Sequence, residues 1–395
     1  MFWVSLPGAG IFGVVHEVRG RQEGAMRSVL PHRNHQWRVL SRRLVQRASA
    51  GIAIGLALGA CLMACAPGSD VVAARGATMG TTYHVVVADT SRTDAQQLRQ
   101  RMESVLEEVN AHLSTYSASS EVSRFNQSAS TEWIAVSTPL HEVIGTALRV
   151  SQETGGAFDI TVAPLVRLWG FGEEAGSSPV AAVVVPPTAE SVREARAASG
   201  FANLELRDEP GPAIRKRIAT LALDVNAIAP GYAVDRMAEA LEQLGLSDYL
   251  VEIGGEVRAA GRRPDGRAWQ VAIEAPVPGE RKAYAGLQLS NLAVSTSGNY
   301  RDFRRFADGR VISHTIDPRT GEPVLHGLVS VTVVHPSAMD ADAYATALMV
   351  LGPEEGYALA ERLGLPVLFL ERTAAAGVWR ERATPGFDQL RRPVD

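Results

Sequence analysis

Cysteine is almost absent from this chain: Cys61 and Cys65 are the only two in 395 residues. Both sit beside one short apolar stretch near the start, so the bulk of the protein has no thiol pair to oxidise and no disulfide to hold it. Lysine is as scarce. Lys216 and Lys282 are the only lysines among 39 Lys and Arg, a bias that reflects a GC-rich genome rather than a function. Basic charge is concentrated at the front: residues 1–64 carry eight Arg and two Glu, so without them the formal charge falls from −4 to −10. A domain that acidic lacks the basic footprint nucleic acid needs. The apolar stretch, residues 51–64, is shorter than the ~20 residues a spanning helix requires.

What is present fits an exported enzyme-sized domain. Hydrophobic types make up 46% of the chain, ample for a core. Arg38, Arg42, Arg43 and Arg47 precede the apolar stretch as the positive flank of a secretion signal. Leu62-Met63-Ala64-Cys65 then resembles a bacterial lipobox, which predicts cleavage before Cys65 and a lipid anchor on its thiol. The expected layout is a leader over 1–64, a linker over 65–76 and a domain over 77–395, exported and membrane-anchored as a lipoprotein facing the periplasm. A leader this long exceeds the usual ~15–30 residues, so translation is expected to start at Met26.

Periodicity predicts strands at 81–88, 203–208, 216–223, 248–253, 327–335 and 366–371, with further strands across 256–316. Helices are predicted at 94–113, 139–154, 188–198, 230–244, 340–350 and 353–363, and an exposed loop at 172–187. Their irregular alternation, with many hairpin-like breaks, favours an α+β fold with mixed or antiparallel sheets over a doubly wound parallel one.

Two segments concentrate the chemistry. Ser313 to Gly321 presents an imidazole (His314), a carboxylate (Asp317) and a guanidinium (Arg319) around the turn that Pro318 starts. Asp340 to Ala347 opens a helix on which Asp342 and Thr346, spaced i,i+4, share a face. A carboxylate beside a hydroxyl is hard-oxygen chemistry, suited to Mg²⁺ holding phosphates. Taken alone, each is equally readable as a helix cap or a local hydrogen bond. Asp224 to Asp235 links a strand to a helix, with Pro230 in the first turn; such an N-terminus suits a pyrophosphate or is an ordinary connection. The charged run Arg301 to Arg305 reads as a solvated face, although one arginine there could meet a phosphate.

In order along the chain, Met79-Gly80-Thr81-Thr82-Tyr83, Ser114-Thr115-Tyr116, Ser120 to Asn126, Thr154 to Thr161, Asp224 to Asp235, Ile253-Gly254-Gly255, Ser295 to Arg301, His314 to Gly321 and Asp342/Thr346 resemble the ApbE family of FAD:protein FMN transferases. The resemblance implies a two-lobed, T-fold-related architecture with the nucleotide between lobes. It implies Mg²⁺ as cofactor and FAD as substrate, with FMN transferred to a Thr or Ser hydroxyl of a partner and AMP released. The partner it implies is a flavoprotein subunit of a membrane redox complex. By the same resemblance Met79, Tyr116, Ala157, Phe158, Asp159, Asp224, Pro230 and Ile316 contact the nucleotide, and Ala227 (through its carbonyl), Asp342 and Thr346 hold the metal. Pro230 stands where the family has Lys or Glu, which leaves only a backbone contact there. His314 is the candidate base, since an imidazole ordinarily titrates near neutrality; Asp317 is its reserve or its orienting partner. Two alternatives stay open: an FAD pyrophosphatase giving FMN and AMP, and a non-catalytic flavin-binding lipoprotein.

Overall fold

The computed structural model describes residues 2–4, 71–89, 91–171, 183–277, 279, 282–300, 303–306, 309, 311–375 and 377–393. Apart from Phe2–Val4, the leader, with Met26, lies outside them, as do Cys65, the linker up to residue 70 and most of the 172–187 loop.

One eight-stranded sheet organises the domain. Its strands are β1 (Val72–Thr78), β2 (Thr81–Val87), β3 (Tyr249–Ile253), β4 (Glu256–Ala260), β5 (Leu292–Gly298), β6 (Leu328–His335), β7 (Val367–Arg372) and β8 (Trp379–Ala383). They lie side by side in chain order, each antiparallel to the next. The α+β class read from the sequence is the one observed.

Successive side chains of a strand point to opposite faces, and here both faces are buried. In β2, Tyr83, Val85 and Val87 enter the larger core while Val86 enters the smaller; in β7, Val367 and Phe369 divide from Leu368 and Leu370 in the same way. That double burial explains the near-continuous apolar runs. Four helices cover the larger core: α1 (Ala95–Leu113), α2 (Thr138–Glu153), α3 (Ala229–Gln243) and α4 (Ala338–Leu363). Asp94 and Ser137 cap α1 and α2 by accepting first-turn N–H groups. The opposite face packs on strands Trp269–Glu274 and Ala283–Leu289, which pair at their edges with Phe2–Val4 and Arg391–Arg392. A third cluster, of Leu165, Trp169, Phe306, Ile312 and Ile316, builds a smaller lobe beside this body.

Two expectations are corrected and a third is met. Residues 72–76, read as linker, belong to β1 and pair with β2. The strand expected at 216–223 is Ala213–Lys216. Beyond it the chain turns back, because the fully buried Lys216 ammonium donates to the carbonyls of Phe125 and Leu221. The Asn126 amide then satisfies both backbone groups of Leu223, at 2.7 and 2.9 Å, in place of a strand neighbour. The two helices expected at 340–350 and 353–363 are observed: the run from Ala338 to Leu363 breaks at Gly352 (φ 81°, ψ −175°), just before Pro353.

Candidate active site

The site is built where α3 meets α4. Asp235 of α3 accepts from the N–H groups of Ala338 and Met339, each at 3.0 Å, and from the Ser337 hydroxyl at 2.8 Å, so it fixes the start of α4. Arg258 of β4 donates to the same carboxylate at 2.7 Å. In return the Gly231 N–H, in the first turn of α3, donates to Asp342 Oδ2 at 3.1 Å. Only glycine allows this approach: a Cβ at position 231 would lie 2.3 Å from the Ala338 carbonyl oxygen. One turn on, the Thr346 hydroxyl lies 3.2 Å from that of Ser297 in β5. Asp340, two residues before Asp342, turns away and pairs with Arg149.

Electrostatics single out Asp342. Burial, and then the charge of Glu256, push its carboxyl well above the usual carboxylate range, against donors from Gly231 and Ser295. Burial likewise pushes Glu256, which accepts from the Ser295 hydroxyl at 3.3 Å, up to about 7. Neither carboxyl has an ion-pair partner among the described residues. Two crowded carboxyls beside two hydroxyls are a donor set for a hard divalent cation. Among the described residues no group of three or more His, Cys, Asp or Glu is placed to cage a metal. A cation here would therefore draw its remaining ligands from water or from a substrate's oxygens.

Asp342, Thr346 and Ser297 open into a cavity of about 590 Å³ between the main body and the smaller lobe. Its lining includes Ala227, Thr296, Ser297, Asp342 and Thr346 together with Ile160, Phe171, Arg304, His314 and Ile316. A recess of about 350 Å³ adjoins it and shares Tyr116, Phe171, Asp224 and Asn226. His314 is exposed at the cavity rim, edge-on to Phe171 at 6.4 Å. Ala157 and Phe158 arrive at the wall from a turn that needs Gly155 and Gly156, at φ 60° and 83°. Tyr116 is 71% exposed and offers a ring face to anything bound across both compartments.

Of the thirteen residues singled out by sequence, ten line this cavity: Tyr116, Ala157, Phe158, Asp159, Asp224, Ala227, His314, Ile316, Asp342 and Thr346. Three do not. Met79 occupies the β1–β2 turn at φ 49° and packs against the larger core. Pro230 sits in the first turn of α3. Asp317 is turned into its own loop, where the Arg319 backbone N–H and guanidinium engage both of its oxygens at 2.8–3.2 Å, so it neither orients His314 nor substitutes for it. Asp159 lines the wall, but its carboxylate is spent on the N–H and hydroxyl of Thr161 and the N–H of Phe201.

Sequence reasoning missed Arg304, Phe171, Ser297 and Glu256. Arg304 lay in the run read as solvated, yet it lines the cavity and stacks on Phe171, 4.9 Å from the ring centre. The signal available was that residues two apart share a strand face, which puts Arg304 on the side of the buried Phe306 rather than on that of Arg305.

Comparison with known proteins places this architecture. Residues 79–369 match the sequence profile of the ApbE family. A Vibrio cholerae protein named FAD:protein FMN transferase is 42% identical over 310 residues, spanning 78% of this chain and 90% of that one. The Escherichia coli K12 protein of the same name is 37% identical over 305 residues, 77% and 85% of the two chains. Among solved structures, the flavin transferase ApbE from Vibrio cholerae superposes with a TM-score of 0.72 at 41% identity, covering 81% of this chain and 99% of that one. The apo flavinyl transferase ApbE of Pseudomonas stutzeri gives 0.71 at 40%, covering 81% and 96%. Fold, cavity and sequence agree: this chain belongs to the ApbE family.

Proposed function

We propose that this protein transfers the FMN moiety of FAD to a Thr or Ser hydroxyl of a partner flavoprotein and releases AMP. Carrying the reading is one juxtaposition: Asp342 and Thr346, on one face of α4, line the same two-compartment cavity as His314. The two compartments, about 590 and 350 Å³, meet at Asp224 and Asn226 and fit a dinucleotide bent at its pyrophosphate.

The acceptor oxygen attacks the phosphorus on the riboflavin side. A new P–O bond forms, the bond to the bridging oxygen breaks, and AMP departs with that oxygen. His314 takes the hydroxyl proton. Arg304 faces the phosphates, and the N-terminus of α3 directs its positive end to the same region. Asp342, Thr346 and the Ala227 carbonyl would hold Mg²⁺, which when bound draws charge off the phosphoryl oxygens. The remaining work is positioning, as phosphoryl transfer requires. The lipobox supports export and tethering through Cys65, with the domain facing the periplasm and its partner a subunit of a membrane redox complex. No helix among the described residues is long and apolar enough to cross a membrane. A mature mass carrying lipid on Cys65 tests the anchor.

Incubation with FAD, Mg²⁺ and a candidate acceptor tests the chemistry. Transfer leaves flavin fluorescence on the denatured acceptor with equimolar AMP. AMP without labelled protein would make the enzyme a pyrophosphatase, and saturable FAD binding without AMP a carrier. His314→Ala should slow transfer by about 10²–10⁴-fold with FAD affinity nearly unchanged; a parallel loss of both would make His314 a binding residue.

A further inference from the structure

Strand β5 runs along α4, and the two repeats match. Residues two apart on a strand share a face and lie about 6.6 Å apart, while residues four apart on a helix rise about 6 Å along its axis. Ala293 of β5 enters the larger core that α4 covers, so Ser295 and Ser297 face the helix as well. The Ser295 hydroxyl, 1% exposed, serves the carboxylates of Asp342 and Glu256. One step along the strand, Ser297 Oγ lies 3.2 Å from Thr346 Oγ1. One step further, the Asn299 amide donates to Met349 Sδ at 3.2 Å. Asp342, Thr346 and Met349 are spaced i, i+4, i+7, so these contacts tie β5 to the one face of α4 that meets the cavity.

The middle contact has a chemical direction. A threonine inside a helix commonly returns its hydroxyl hydrogen to the carbonyl four residues back. Thr346 does otherwise: among the described residues its hydroxyl meets Ser297 alone. A hydroxyl carries one hydrogen and two lone pairs. If Thr346 is to offer a lone pair to a cation in the cavity, its hydrogen must be accepted on another side. Ser297 Oγ is the acceptor within reach. It is held on a rigid element, since β5 pairs with β6 at this position, Ser297 opposite Val331.

We propose that Ser297 is a positioning residue: its oxygen accepts the Thr346 hydroxyl hydrogen and so turns the Thr346 lone pairs toward the cavity, where a hard divalent cation binds. The proposal rests on the transferase reading above, through its cation, and adds a residue that acts only by way of Thr346.

The test uses the full chain with FAD and no acceptor, titrated with Mn²⁺ while electron paramagnetic resonance reads the free ion; it needs no turnover. Ser297→Ala should weaken Mn²⁺ binding about tenfold, and Ser297→Thr, which keeps the hydroxyl, should stay within about twofold of the parent. Thr346→Val keeps the shape and removes the hydroxyl. On that background Ser297→Ala should cost nothing further, because the partner through which it acts is gone. FAD affinity without metal should be the same in all of these proteins. Parent-like Mn²⁺ affinity in Ser297→Ala, a Ser297→Thr variant as weak as Ser297→Ala, an undiminished loss on the Thr346→Val background, or a matching loss of metal-free FAD affinity overturns the assignment. If the unaltered protein binds no Mn²⁺, the cation of the transferase reading has itself failed and takes the assignment with it. Normal Mn²⁺ binding by the parent with no effect of Ser297→Ala removes Ser297 alone.

Discussion

Asp317 and Asp342 are buried carboxylates within reach of one cavity, and their surroundings treat them oppositely. Around Asp317 a backbone N–H and a guanidinium satisfy both oxygens. Around Asp342 the Gly231 N–H and the Ser295 hydroxyl are set against burial and the like charge of Glu256. Burial by itself therefore assigns no role. A carboxylate whose charge is fully compensated holds a loop together; one left under-compensated at a cavity wall is available to a ligand.

Asp342→Ala carries the largest expected effect. Transfer should fall about a thousandfold or more while the protein stays folded, measured as AMP release at saturating FAD and Mg²⁺. Turnover close to the parent's would erase the distinction between the two aspartates. Asp317→Asn should reverse the pattern: stability drops by ~1.5–3 kcal/mol as charged hydrogen bonds to Arg319 are lost, while kcat changes little. Thermal melts with kinetics on the same samples would show it.

Glu256→Gln probes the source of the imbalance. In the unfolded chain this carboxyl titrates near 4.5, and in the fold near about 7. Between these values the folded state keeps a proton that the unfolded state has lost, so stability falls as pH rises through the window. The Gln variant has nothing to ionise there. It should gain on the parent as pH rises from 5 to 8, by about 1 kcal/mol given its half-buried position, in paired denaturant titrations. A gap independent of pH would remove Glu256 from the cluster. Asp340→Asn, two residues before Asp342 and out of its register, should have the smallest effect: ~0.5 kcal/mol from its partly exposed pair with Arg149, and no change in transfer.

Much of the geometry around Asp342 was legible because it is local. The i,i+4 spacing puts Asp342 and Thr346 on one face whatever surrounds the helix. His314, at a strand end before a proline turn, was legible for the same reason. Asp317 was misassigned because nothing near it in sequence says which neighbour Arg319 will choose; the turn curls the guanidinium back within two residues. Arg304 was dismissed as solvated because its cavity is made by Phe171, far away in the chain. The strand expected at 216–223 failed for a related reason, since an asparagine nearly a hundred residues upstream supplies the hydrogen bonds a strand partner would have given.

From its amino acids alone this protein has its class, its helix registers and caps, its paucity of thiols and the order of its motifs, because each depends on residues a few positions apart. Tertiary structure decided which carboxylates stay short of compensation and which cavities share a wall. Charge balance in a buried place depends on groups that only folding brings together, as Gly231, Glu256 and Ser295 come together around Asp342.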